Sequence, residues 1–231
     1  MIEIKVGNIF TSNYQTLVNT INTKGVMGRG IAYEFRLRYP EMFRKYVELC
    51  EKQLIKIGKL WLYEVNQNKY ILNFPTKDHW KDPSKIDYLK QGLQKFVDTY
   101  KTKSITSIAF PILGSDQGGI SEKISLEILN SYLIQCEIPI EIWHYDPLAK
   151  DELFDKFKNL IYSMNEKELS YQAKLRMDFI RKLKLALERE DINNISGLLR
   201  GKGIGEVTLE KVFSFVMNQR LINDSDMILF K

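Results

Sequence analysis

Cysteine and histidine are scarce in this 231-residue chain, which has only Cys50, Cys136, His79 and His144. The two cysteines are far apart and lack the short spacings at which metal ligands recur, so they read as buried or idle thiols and no metal site is expected. Also missing is any apolar run near the roughly 20 residues needed to cross a bilayer. The start, Met1-Ile2-Glu3-Ile4, has no basic stretch leading into a long apolar one, which argues against secretion and for a cytoplasmic protein without membrane attachment. No internal repeat and no low-complexity tract is visible, and glycine is absent from 150–190.

What is present is the composition of a soluble globular protein, 44% hydrophobic and 27% charged. The length accommodates one α/β domain of about 150 residues and an appendage. The net charge is +5, and residues 1–150 carry most of it, with 20 Lys+Arg against 16 Asp+Glu. That balance favours a polyanionic partner without proving one.

Residues 2–6 alternate apolar and charged side chains as a short strand does, and Leu17–Ile21 reads as the next strand. Ile31, Ala32, Phe35 and Tyr39 have helical spacing over 28–39; Pro40 stops that helix and starts another reaching about Ile55. Leu60–Val65 and Lys69–Phe74 read as a hairpin, and 83–100 as a helix with Pro83 in its first turn. Ile105–Pro111 is a β-rich run, Ser121–Leu133 is helical and Ile138–Tyr145 closes the sheet. Strands interleaved with helices predict a parallel or mixed sheet covered on both faces, with ligands at the carboxyl ends of its strands. After Asp146-Pro147 the chain becomes charged and helix-forming, with a strand signal only at 227–230. Residues 1–147 are therefore one domain and 148–231 a small helical region.

Two glycine-rich turns fall at strand ends. The first runs from Asn19 and Asn22 into Gly25, Gly28 and Gly30; the second is Gly114-Ser115-Asp116-Gln117-Gly118-Gly119. Turns without side chains let a ligand approach the backbone, and successive N–H groups at a helix start cradle anions. Two such cradles suit a diphosphate gripped from both sides. Asn22 could contact a sugar hydroxyl through its amide or simply satisfy its own turn. Lys77 follows Phe74-Pro75-Thr76, and His79-Trp80 on the same loop could stack on a nucleobase or fold onto the surface.

Taken together, Val-Asn-Thr-Ile-Asn at 18–22, Gly-Val-Met-Gly-Arg-Gly-Ile-Ala at 25–32, Tyr39-Pro40, Asn73-Phe74-Pro75-Thr76-Lys77 with His79-Trp80, and Pro111-Ile112-Leu113-Gly114 resemble the macrodomain family, and within it the DarG-type branch. The resemblance covers about residues 1–146. It implies a three-layer α/β/α fold with a mixed sheet, and an antitoxin that removes ADP-ribose from thymidine in DNA, reversing a DarT-type toxin. No cofactor is implied. ADP-ribosylated single-stranded DNA is then the substrate, and a cognate DarT-type toxin a partner.

By the same resemblance Asn22 orients the distal ribose and Lys77 is catalytic, either as an ammonium stabilising the leaving base or as a free amine attacking the sugar. Asn8, Ile9, Thr20, Gly28, Gly30, Ile31, Thr76, His79, Trp80, Gly114, Ser115, Gln117, Gly118, Gly119 and Ile120 would contact ligand, with Ile120 covering it. One departure stands out: macrodomains commonly carry an aspartate for the adenine amino group where this chain has Asn8 after Gly7. An asparagine carbonyl accepts that bond more weakly.

Rival readings are a hydrolase of ADP-ribosylated proteins or small ADP-ribose derivatives, a reader that binds ADP-ribose without cleaving it, and an interaction protein whose tail neutralises a partner toxin. In the tail, Gly201-Lys202-Gly203-Ile204-Gly205 precedes an apolar helix through Val212, Phe213 and Val216. It is faintly similar to DNA-binding helix-hairpin-helix turns, and equally reads as a turn that packs two helices. By analogy with the DarG-type arrangement, this region contacts the toxin.

Overall fold

The computed structural model describes residues 1–149, 151–195, 197–198, 201–205 and 207–215. It divides into two compact units, Met1–Arg36 with Glu41–Asp146, and Leu37–Pro40 with the chain from Pro147 onward.

The first unit is built on six strands: β1 (Ile2–Gly7), β2 (Thr16–Asn22), β3 (Trp61–Asn66), β4 (Lys69–Lys77), β5 (Ile108–Pro111) and β6 (Ile140–Tyr145). They lie in the order β1-β6-β5-β2-β4-β3. All neighbours are parallel except β3, which is antiparallel to β4 at one edge. Helices α1 (Gly30–Arg38), α2 (Pro40–Glu51), α3 (Ile86–Thr99) and α4 (Glu122–Leu133) connect them.

Alternation along β2 and β4 explains the layers, because successive side chains leave a strand on opposite faces. Val18, Leu72 and Phe74 join Phe110 and Ile142 in one core with Leu89, Leu93 and Phe96 of α3 and Leu129 and Leu133 of α4. Phe74 reaches α3 because that helix has glycine there: a Cβ on Gly92 would stand 2.2 Å from the ring. The intervening residues face α2. Asn73 Nδ2 lies 3.7 Å from Met42 Sδ, and Asn19 Nδ2 3.9 Å from Met27 Sδ. Asn19 and Asn73 are register partners, joined Nδ2 to Oδ1 at 2.9 Å and fully buried, while Asn19 Oδ1 has no protein partner. The three-layer mixed fold expected from the sequence is thus present.

Several boundaries differ from the sequence reading, β4 running on to Lys77 and β6 starting at Ile140 among them. α2 ends at Glu51 rather than near Ile55, because Gln53 turns left-handed (φ 55°) and Leu54 N–H closes on the Leu49 carbonyl at 2.8 Å. α3 begins at Ile86, so Pro83 precedes it; Ser84 N–H is instead given to the Gly118 carbonyl at 2.9 Å. β5 starts at Ile108, not Ile105.

The second unit contains α5 (Glu152–Ser163), α6 (Glu166–Ala173), α7 (Met177–Leu187) and a helical stretch at 207–215. Asp151 caps α5 by accepting from Leu153 N–H and pairs with Arg38 at 2.7 Å, both side chains being buried. Phe157 stacks on Phe213 at 5.1 Å between centroids. Gly201 is a packing position: its Cβ would fall 2.7 Å from Ile204 Cδ1 and 2.9 Å from Ala186 Cβ. Val216 and the strand signal at 227–230 lie outside the described residues.

Candidate active site

Asn22 and Lys77 are the last residues of β2 and β4, and Asn8 and the second glycine turn follow the carboxyl ends of β1 and β5, all strands with parallel neighbours. The sheet order therefore lays a row of loops along one edge, where α/β sheets bind ligands. Asn22 and Lys77 are register partners across β2 and β4. An irregularity after Ile21 skips Thr76, which is buried in β4, and brings Lys77 opposite Asn22.

The first turn is held by side chains. Asn22, 7% exposed, donates Nδ2 to the Val26 carbonyl at 2.5 Å and accepts from Lys24 N–H at 2.9 Å through Oδ1. Tyr46 of α2 donates its hydroxyl to the Asn22 carbonyl at 2.7 Å, and burial pushes that phenol far above its ordinary pKa. Thr23 donates its hydroxyl to the Asp78 carboxylate at 2.6 Å. Lys24 reaches the same carboxylate at 3.3 Å. The Thr23 bond, then Lys24, holds Asp78 below the usual carboxylate range. Asn22 thus closes its own turn from both ends of its amide.

The second turn is held mainly by backbone. Ile120 N–H closes on the Gly114 carbonyl at 2.9 Å, and Ser115 donates its hydroxyl to the Ile112 carbonyl at 3.1 Å. Its two terminal glycines differ. A Cβ on Gly118 would meet the Gly114 carbonyl oxygen at 2.4 Å and Ser84 Oγ at 2.5 Å, whereas one on Gly119 (φ 76°) meets nothing within 4 Å. Gly118 therefore closes the turn, and Gly119 supplies the open backbone. Ile120 is 8% exposed and packed into the α3–α4 core, beneath Gly114.

The turns approach each other. Gly30, the left-handed first residue of α1, has Asp116 Oδ2 3.0 Å from its Cβ position. Lys77 Nζ donates to the Gln117 carbonyl at 2.6 Å, spanning from the end of β4 to the second turn. Partial burial lowers the Lys77 pKa, against Asp116 and Asp82, which raise it. His79 and Trp80 stack at 5.6 Å on the next residues, with Trp80 46% exposed and Lys81 Nζ 4.9 Å above its ring. Gly28 and Ile31 are half-buried along the first turn and α1, and Thr20 is half-buried in β2.

At the far end of the row, Asn8 and Ile9 are buried in a single 3-10 turn after β1. Asn8 Oδ1 accepts from Phe10 N–H at 3.0 Å. The structure thus gathers Asn22, Lys77, Gly30, Gln117 and Gly119 at one cleft, with Asn8 apart from them. The sequence reading missed Tyr46, Asp78, Ser84 and Asp116. Asp78 and Asp116 adjoin residues it chose, but nothing local marks Tyr46, whose partner is 24 residues away.

The Macro domain model matches residues 18–129. The solved macrodomain of Mycobacterium tuberculosis DarG is 37% identical, with a TM-score of 0.60, over 62% of this chain and 97% of that one. The chain belongs to the Macro domain family. A curated Thermus aquaticus protein, "DNA ADP-ribosyl glycohydrolase", is 36% identical over 151 residues, 64% of this macrodomain chain and 42% of that relative's length. The solved Thermosipho africanus DarTG in complex with ADP-ribose is 34% identical with a TM-score of 0.58, over 62% of this chain and 42% of that one. The macrodomain chain thus spans about two fifths of the curated relative it matches. Among the described residues no helix is long and apolar enough to cross a membrane, and no cluster of His, Cys, Asp or Glu could hold a metal ion.

Proposed function

We propose that the chain hydrolyses the N-glycosidic bond joining ADP-ribose to thymidine in single-stranded DNA, and so counteracts a DarT-type toxin in the cytoplasm. The observation that carries this is the position of Lys77, opposite Asn22 and joined to the second glycine turn at the mouth of the cleft. A reader of ADP-ribose needs open glycine backbone but no amine at that place. The likeness to the Thermus DNA ADP-ribosyl glycohydrolase and to the Thermosipho DarTG in complex with ADP-ribose supports the same reading.

In this scheme the Gly119 backbone and the first turn grip the diphosphate, and the Asn22 amide holds a distal ribose hydroxyl. Asn8, with its carbonyl partly committed to Phe10, holds adenine weakly. The bond from the anomeric carbon to the base nitrogen breaks and water supplies the elements of both products: hydroxyl to the sugar, proton to the base. Lys77 acts either as an ammonium that protonates the departing nitrogen or as an amine that adds to the anomeric carbon before water displaces it. The region 148–231 serves the partner or the DNA strand rather than the bond-breaking step.

Lys77→Ala is expected to lower kcat for release of ADP-ribose from DNA by at least about 100-fold while ADP-ribose affinity, read by calorimetry, stays within about tenfold. Full activity in that variant removes Lys77 from the mechanism. The pH profile separates the two routes. Burial lowers the Lys77 pKa from 10.5, so an attacking amine gives a rate that rises with pH along a limb centred below 10.5. An ammonium acid gives a rate that falls along the same limb.

A further inference from the structure

Beyond the cleft, in the direction of the edge strand, lies a cavity of about 650 Å³ that the scheme above does not use. Its apolar lining comes from Val47 and Cys50 of α2 with Ile55 and Ile57 of the segment leading to β3. It is lined as well by Thr23 and Asp78, the residues that directly follow Asn22 and Lys77. Lys24 and Lys56 stand on the rim.

Its position follows from the sheet. In the order β5-β2-β4-β3 the second glycine turn comes first, then Asn22, then Lys77, then the segment entering β3. With a diphosphate at the glycine turns and a ribose at Asn22, the next group along this order would lie beside the cavity. The volume falls inside the range of about 300–1,000 Å³ typical of small-molecule sites. That exceeds what a carboxylate or hydroxyl side chain of a modified protein would fill.

The lining charges discriminate further. Lys24 and Lys56 are matched by Glu51 and Asp78, and the Asp78 carboxylate is already held by Thr23 and Lys24. A balanced rim with an aliphatic lining suits a flat, uncharged ring with a polar edge more than a bare polyanion. Gln53, held left-handed at the end of α2, adds an amide that can both donate and accept.

We propose that this cavity seats the nucleotide bonded to ADP-ribose, its base over Val47, Ile55 and Ile57, with Lys56 toward the phosphate of the continuing strand. This rests on the hydrolase reading, and it makes the cavity the feature that selects a nucleotide over a protein side chain.

The test measures binding in the Lys77→Ala background, so that nothing turns over. Three probes are compared by calorimetry: free ADP-ribose, a trinucleotide carrying ADP-ribosylated thymidine, and an ADP-ribosylated peptide. The trinucleotide is expected to bind at least about tenfold more tightly than ADP-ribose. Adding Ile57→Trp, which fills the cavity, or Lys56→Glu, at an exposed position, should bring the trinucleotide down to the ADP-ribose level. ADP-ribose affinity itself, which also reports folding, should stay within about twofold. A trinucleotide advantage that is missing, or that survives both substitutions, overturns the proposal, as does a peptide advantage that depends on the same residues. If the cavity-dependent advantage is found but the Lys77-intact chain releases no ADP-ribose from the trinucleotide, the hydrolase reading fails and the nucleotide site stands.

Discussion

The two glycine turns lie beside one another, yet they keep their shape by different means. In the first, the amide of Asn22, the hydroxyl of Thr23 and the phenol of Tyr46 hold the backbone. In the second, carbonyls and N–H groups of the turn itself do so, and the space that Gly118 leaves empty is taken by the Gly114 carbonyl and Ser84. A turn held by side chains tolerates changes in its glycines better than loss of a hydroxyl. A turn held by backbone behaves the other way round.

The strongest test of that contrast is Gly118→Ala. The added methyl falls 2.4 Å from a backbone oxygen that cannot rotate away. It should cost about 1–3 kcal/mol of stability and, by displacing the turn, about 100-fold in ADP-ribose affinity. Gly119→Ala meets no neighbour within 4 Å, so its cost is that of a left-handed alanine, about 1–2 kcal/mol, read in the unfolding midpoint. If Gly119→Ala weakens ADP-ribose more than Gly118→Ala does, the open face governs binding and internal closure does not.

Next in size is Tyr46→Phe in the first turn. It strands the Asn22 carbonyl in a buried setting and should cost about 1–3 kcal/mol by denaturant unfolding. A smaller loss than from Gly119→Ala would break the distinction drawn between the turns.

The smallest effect is one of pH. Hydrogen bonding from Thr23 and the charge of Lys24 hold the Asp78 carboxyl below 3.8 in the folded chain. A depressed carboxyl stabilises the fold above its unfolded pKa, and that contribution is lost as pH falls through the folded value. The stability difference between wild type and Thr23→Val should therefore be constant above about pH 5 and shrink below about pH 4. A difference that does not change with pH would show that the hydroxyl acts on the backbone carbonyl of Asp78 alone.

These devices were unequally legible in the amino-acid sequence. Glycines, prolines and strand-like runs announce themselves locally, so both turns and the layer order could be read directly, whereas Lys77 stood out only through the family resemblance. Which glycine is filled and which is open could not, because Ser84 and the Gly114 carbonyl reach Gly118 only once the chain has folded. The role of Asn22 lay between: its residue type fitted both turn closure and ligand contact, and the structure shows the former. The lateral cavity gave no signal at all, since its apolar lining is assembled from α2 and the approach to β3, each unremarkable alone.

The buried Asn19–Asn73 pair works as an alignment mark for the sheet. If β2 slid past β4 by one residue, each amide would lose the other, Asn19 coming opposite Leu72 or Phe74 and Asn73 opposite Thr20 or Val18, at about 1–3 kcal/mol for each stranded group. Misaligned pairings are thereby rejected while the sheet assembles, before any ligand is present. Because Asn22 and Lys77 lie a few residues further along the same two strands, that early choice also decides that the two residues meet.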